Sequence, residues 1–222
     1  MATHSLPVRT APLAAGPPPG AFAVAAAALF VGGLIGGTIA AGGAVFPSPF
    51  ADPADALSYF TDHRSAVRLG ATLQFAAAIP GALFVAAIAA RLRAASLALT
   101  GGAMAMAFLM LSGVSTWVLS VPEVLAEPAL VRALHTFAFV VGGPANVVGT
   151  GLLVAGIALP VLSTRPLLAR IGLAIAAVSC ATTAALMRTE AALLLPLARF
   201  SGLAWLITAG FLVPKSLVAE TE

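Results

Sequence analysis

The sequence predicts an all-α, polytopic transmembrane helical bundle with six spans. Composition is the first reason. The chain is 60% hydrophobic and 9% charged, with mean hydropathy +1.05, whereas a water-soluble domain carries roughly a quarter charged residues. Patterning is the second. The apolar residues gather into six runs, each long enough for the about 20 residues that cross a hydrocarbon core roughly 30 Å thick. The connectors are the third, because they are too short to hold a soluble domain.

Residues 1–19 end in Pro17, Pro18 and Pro19 and read as a disordered or extended lead-in. The transmembrane domain is expected over 20–213, and 214–222 form a short polar tail. The first span, Gly20–Phe46, is far longer than the 7–15 residues of a signal-peptide core. An uncleaved first helix is therefore expected; cleavage near Ala40 to Ala44, leaving five helices, is the rival. Gly32 and Gly36, then Gly33 and Gly37, form two rows of small residues that Ala40 and Ala41 continue. Such rows let helix backbones approach closely in lipid. The contact is either within the monomer or with a second protomer or partner membrane subunit.

The connector 47–66 carries Phe50, Tyr59 and Phe60 among its acids. It suits an ordinary loop with an aromatic anchor, a short interfacial helix with aromatics at headgroup depth, or a lid over the bundle. The remaining spans are Val67–Ala90, Leu97–Val121, Val131–Leu159, Leu167–Met187 and Leu193–Val213. Two short connectors are purely basic, one with Arg91 and Arg93, the other with Arg165 and Arg170. Short basic loops stay cytoplasmic. With Arg9 and Lys215 they place both termini in the cytoplasm of a bacterial inner membrane, and all acids except Glu220 and Glu222 on the outer side. Arginine outnumbers lysine ten to one, which fits GC-rich bacterial coding.

The second and fourth spans share a pattern at an offset of 64 residues: Val67, Arg68, Thr72, Phe75, Pro80 against Val131, Arg132, Thr136, Phe139, Pro144. Arginine, threonine and phenylalanine fall on one helical face in each. Each proline should kink its helix, with Gly81 or Gly142 and Gly143 beside it. This pattern reads as three repeated helical hairpins, and internal repeats are common in transporters.

Polar residues within the spans gather in their outer halves. The candidate ligand-binding residues are Arg68, Arg132, His135, Asn146 and Arg199. Three arginines at matching depth would make an outward-facing polar cavity attractive to an anion or lipid headgroup. The alternative pairs Arg68 with Asp62, Arg132 with Glu127 and Arg199 with Glu190. Asn146 is placed to satisfy the carbonyl of Val140 or Gly142 near Pro144. A net charge of +3 gives no nucleic-acid signature despite the high pI. Lone Cys180 excludes an intrachain disulfide. His63 and His135 lack a zinc spacing. Met104, Met106 and Met110 read as core filler, and Ser112 to Thr116 lacks the setting of an activated serine. No cofactor or catalytic group is implied.

Three stretches carry a family resemblance. They are Gly142-Gly143-Pro144 with Gly151-Leu152-Leu153-Val154-Ala155-Gly156-Ile157-Ala158-Leu159-Pro160; Arg199-Phe200-Ser201-Gly202-Leu203-Ala204-Trp205-Leu206-Ile207; and Phe211-Leu212-Val213-Pro214. Together they resemble bacterial multi-helix integral membrane proteins grouped as a domain of unknown function. The resemblance covers about half the chain. It implies a six-helix membrane protein and no particular activity. The expected function is binding or passage of a small solute or lipid through the outward cavity. The alternative is an accessory subunit packing through the glycine-rich first helix.

Overall fold

The computed structural model describes residues 17–92 and 95–213. The expected lead-in up to residue 16, Arg93 and the tail from 214 lie outside them. Six helices are long and apolar enough to cross a membrane: Pro19–Ala40, Arg64–Ala89, Ser96–Val118, Pro128–Val161, Pro166–Leu186 and Thr189–Leu212. There is no strand among the described residues. The chain is an all-α, multi-pass membrane bundle.

The elements run α1 (Pro19–Ala40), α2 (Pro53–Asp62), α3 (Arg64–Ala89), α4 (Ser96–Val118) and the single turn α5 (Pro122–Leu125). The long fourth span follows as α6 (Pro128–Val140), a π-helical segment (Val141–Ala145) and α7 (Asn146–Ala158). Next come α8 (Pro166–Ala181), two 3₁₀ segments and α9 (Leu194–Leu212). Sequence neighbours are spatial neighbours. α1 packs on α3, α3 on α4, α4 on α7, α7 on α8, α8 on α9, and α9 closes the ring against α1. The fourth span is the most enclosed, with 61% of its apolar window buried against 22–39% for the others.

Hydrophobic burial does not drive this association, because lipid tails are as apolar as leucine. Close packing does, and glycine permits it at successive interfaces. A Cβ on Gly33 would lie 3.2 Å from the Gly70 carbonyl of α3. One on Gly149 would lie 2.7 Å from the Ala105 nitrogen of α4. One on Gly210 would lie 2.6 Å from Gly20 Cα. The two predicted glycine rows of α1 have different fates: Gly33 and Gly37 face α3, whereas nothing lies within 4 Å of a Cβ at Gly32.

Two expectations need correction. The first helix stops at Ala40 rather than Phe46, although the run stays apolar. Gly42 and Gly43 have φ of +66° and +93°, and their amides bond the Ile39 and Thr38 carbonyls at 3.0 and 2.9 Å. This is a Schellman cap, which glycine adopts without steric cost. Residues 41–50 then run as a strap beside the helix ends. Secondly, the two prolines act differently. α3 continues as α-helix through Pro80, while Pro144 sits in the π segment. Gly142 and Gly143 precede Pro144 and let the backbone widen; Ala78 and Ile79 precede Pro80.

The connector after the strap forms α2. Asp52 caps it, accepting from the Ala54 amide at 2.8 Å. Phe60 is fully buried and packs with Val67, Leu119 and Val131, so α2 lies across the end of the bundle.

Glycine contacts should set the stability order. Gly149→Ala is expected to lower stability by about 1–3 kcal/mol, because backbone must shift. Gly32→Ala should be neutral or slightly stabilising, given glycine's helix penalty of about 1 kcal/mol. Thermal unfolding of both variants in one detergent checks the order.

Candidate functional site

A cavity of about 480 Å³ lies inside the α2 end of the bundle. Its walls come from α1, α3, α4, α6, the π segment and α9, and the strap covers it through Val45, Phe46, Pro47 and Pro49. Phe46 is held by edge-on contacts to Tyr59 and Phe60, with ring centroids 5.6 and 5.5 Å apart. It also meets the His135 ring at 5.8 Å. Burial raises the Tyr59 pKa above its ordinary value of 10.0, so the phenol stays neutral.

The expected cavity was polar; this one is chiefly apolar. The cause is local. Ser and Thr hydroxyls in these helices turn back to their own backbone. Thr72 donates to the Arg68 carbonyl at 2.8 Å and Thr136 to the Arg132 carbonyl at 2.9 Å, the same bond in both repeat-like segments. Thr38, Ser115 and Ser179 bond the residue four back in the same way. Ser112 bonds across to the Ala138 carbonyl of α6 at 3.0 Å. Of these, Thr38 and Ser112 line the cavity, beside Gln74, Thr116 and Tyr59.

Arg199 is the exception. It projects from the second turn of α9 and lines the cavity. One terminal nitrogen donates to the Gly142 carbonyl in the π segment. Its guanidinium lies 5.2 Å from the centroid of the Phe30 ring, a cation–π contact worth about 0.5–2 kcal/mol. Its Nε is buried and meets no acceptor. No carboxylate lines the cavity, and the expected pairing with Glu190 does not form. An arginine at mid-membrane costs about 2.5–3.5 kcal/mol, and an unsatisfied buried donor about 1–3 kcal/mol more. One carbonyl and one ring face offset only part of that.

The other candidate residues separate. His135 is buried and lines the Arg199 cavity beside Phe46. It also lines a second, more polar cavity of about 490 Å³ with Arg132, Thr136, Ser48 and Thr189. Arg132 reaches that second cavity only, and its side chain is exposed. Arg68 lines neither. Its Nε donates to Ser120 Oγ at 3.3 Å and its guanidinium lies over Trp117, while Asp62 accepts from Ser58. Asn146 is corrected too: its Nδ2 donates to the Ala105 carbonyl of α4 at 2.7 Å, not to Val140 or Gly142. It ties the fourth span to α4 beside the Gly149 contact. His135 and Arg199 are therefore brought together, and Arg68 and Asn146 belong to helix packing.

Phe46 and Phe30 were not among the candidates. Phe46 had been absorbed into the first span, although Gly42-Gly43 before Pro47 and Pro49 is a turn signal inside an apolar run. Phe30 carries no signal in sequence. Comparison with family models, curated proteins and solved structures finds no match to this chain.

Asn146→Ala should cost about 0.6–1.7 kcal/mol, the measured scale of interhelical side-chain bonds in membranes. Thermal unfolding in detergent checks this, and any ligand affinity of the cavity should be unchanged.

Proposed function

We propose that this chain is a bacterial inner-membrane protein that binds or passes a small solute or lipid through the cavity at the α2 end. The observation that carries this is Arg199, a half-buried cation whose buried Nε has no partner, in the wall of a chiefly apolar space. Intramembrane ionisable groups of this kind mark ligand or ion paths. The cavity volume of about 480 Å³ falls in the range of about 300–1,000 Å³ usual for small-molecule sites. The basic connectors with Arg91 and Arg165 support cytoplasmic termini, with the α2 end facing outward. A reporter fused after Glu222 should be active only in its cytoplasmic form.

A second reading is an accessory subunit. The open face at Gly32, with only Leu69 Cδ2 at 3.8 Å from a Cβ on Gly36, supports it. Replacing both glycines with leucine would then lower the oligomer mass in native detergent measurements; unchanged mass argues against it.

For the first reading, a ligand at 100 times its Kd stabilises its protein by about 2.7 kcal/mol. Arg199→Leu should remove that ligand-dependent gain while the unliganded variant stays folded and as stable as the parent, since replacing a poorly paired buried charge by an apolar residue is often neutral or stabilising. Thermal shifts of parent and variant across a lipid and solute panel check this. A flat panel for the parent removes the support.

A further inference from the structure

We infer that the occupant of the cavity is a single-chain amphiphile with an acidic headgroup, that it arrives from the bilayer between α1 and α9, and that its head binds Arg199. This rests on the cavity being a ligand site, as proposed above.

The head follows from charge. Arg199 is always protonated. Its own contacts leave Nε without an acceptor, and the walls supply no carboxylate. An anion is the one partner that both neutralises the guanidinium and completes its hydrogen bonds, and such charge-assisted bonds are about twice as strong as neutral ones. A hydroxyl or carbonyl head would accept a bond and leave the charge uncompensated. Of the wall hydroxyls, Thr38 and Ser112 already donate to backbone carbonyls, which leaves those of Tyr59 and Thr116 to add neutral hydrogen bonds beside the charge.

The tail follows from the remaining wall. The lining is chiefly apolar and includes Phe30, Leu34, Phe139, Leu195 and Phe200. The volume, about 480 Å³, lies in the lower half of the small-molecule range of about 300–1,000 Å³, which suits one chain rather than two.

The path follows from the α1–α9 seam. The two helices touch at Gly20 and Gly210, where a Cβ on Gly210 would be 2.6 Å from Gly20 Cα, and meet again where Arg199 lies over the Phe30 ring. Toward the α2 end, Leu34 of α1 and Phe200 of α9 line the cavity and are 47% and 48% exposed. We place the lateral opening at this pair of exposed cavity-lining side chains. A molecule dissolved in the bilayer reaches Arg199 through it without crossing water.

The test uses the full chain in nanodiscs of neutral phosphatidylcholine, with radiolabelled dodecanoate as the probe and dodecanol and acetate as competitors. Saturable dodecanoate binding is expected. Dodecanol should compete at least tenfold more weakly, and acetate should not compete at equal concentration. Arg199→Gln should weaken binding at least tenfold, and Arg199→Lys should restore most of it. Leu34→Trp combined with Phe200→Trp should slow association at least tenfold. If dodecanol matches dodecanoate in the parent, the acidic head is overturned and the cavity reading stands. If acetate matches dodecanoate, the tail is overturned and the occupant is a small anion. An unchanged association rate in the double tryptophan variant overturns the lateral path. If neither dodecanoate nor dodecanol binds saturably to the parent, this inference falls, and the thermal-shift panel decides the cavity reading separately. The competition series needs no variant, so a misfolded substitution cannot obscure it.

Discussion

Everything in this bundle depends on close backbone contact between helices in a medium that gives no hydrophobic reward for contact. Glycine meets that constraint at interface after interface, from Gly33 on α1 to Gly149 on α7 and Gly210 on α9. At Gly149 and Gly210 a single Cβ would prevent the approach, and at Gly33 it would crowd it. Dispersion over such contacts, with one interhelical amide bond from Asn146, replaces the oily core of a soluble domain. The contacts are uneven along the helices. α1 and α9 are in backbone contact at Gly20 and Gly210, whereas toward α2 they meet through side chains, Phe30 against Arg199, in the wall of the cavity.

The same residue type also interrupts helices, and both interruptions serve the cavity. Gly42 and Gly43 end α1 early and release the strap that brings Phe46 over the top. Gly142 and Gly143, ahead of Pro144, open the π segment whose carbonyl Arg199 engages. π-helical insertions are rare and concentrate at functional sites. Here the insertion supplies an acceptor at a depth where lipid supplies none.

The class, the number of spans and most of their limits were legible because they depend on composition and run length alone. The limit of the first span was misread because apolarity continues past Ala40 while the backbone does not. The polar cavity was misread for a related reason. Hydropathy counts a threonine as polar whether its hydroxyl faces a space or returns to the carbonyl four residues back, as at Thr72 and Thr136. Arg199 stood out in sequence by depth. Its separation from Arg68, which sits over Trp117 and Ser120, depends on neighbours far apart in the chain and could not be read from spacing. Nor could Phe30, which differs from other span phenylalanines only in facing that guanidinium.

The back-bonded hydroxyls have one more consequence. A wall in which Thr38 and Ser112 are already committed, leaving Gln74, Thr116, Tyr59 and His135 as its neutral polar groups, offers an occupant few directional partners against which to match a pattern of polar groups. It ranks guests as a solvent does, by polarity and bulk, with a single fixed charge as its reference point. Chain branching or an internal double bond would cost an occupant little here, so the cavity is built to recognise a kind of molecule more than a particular one.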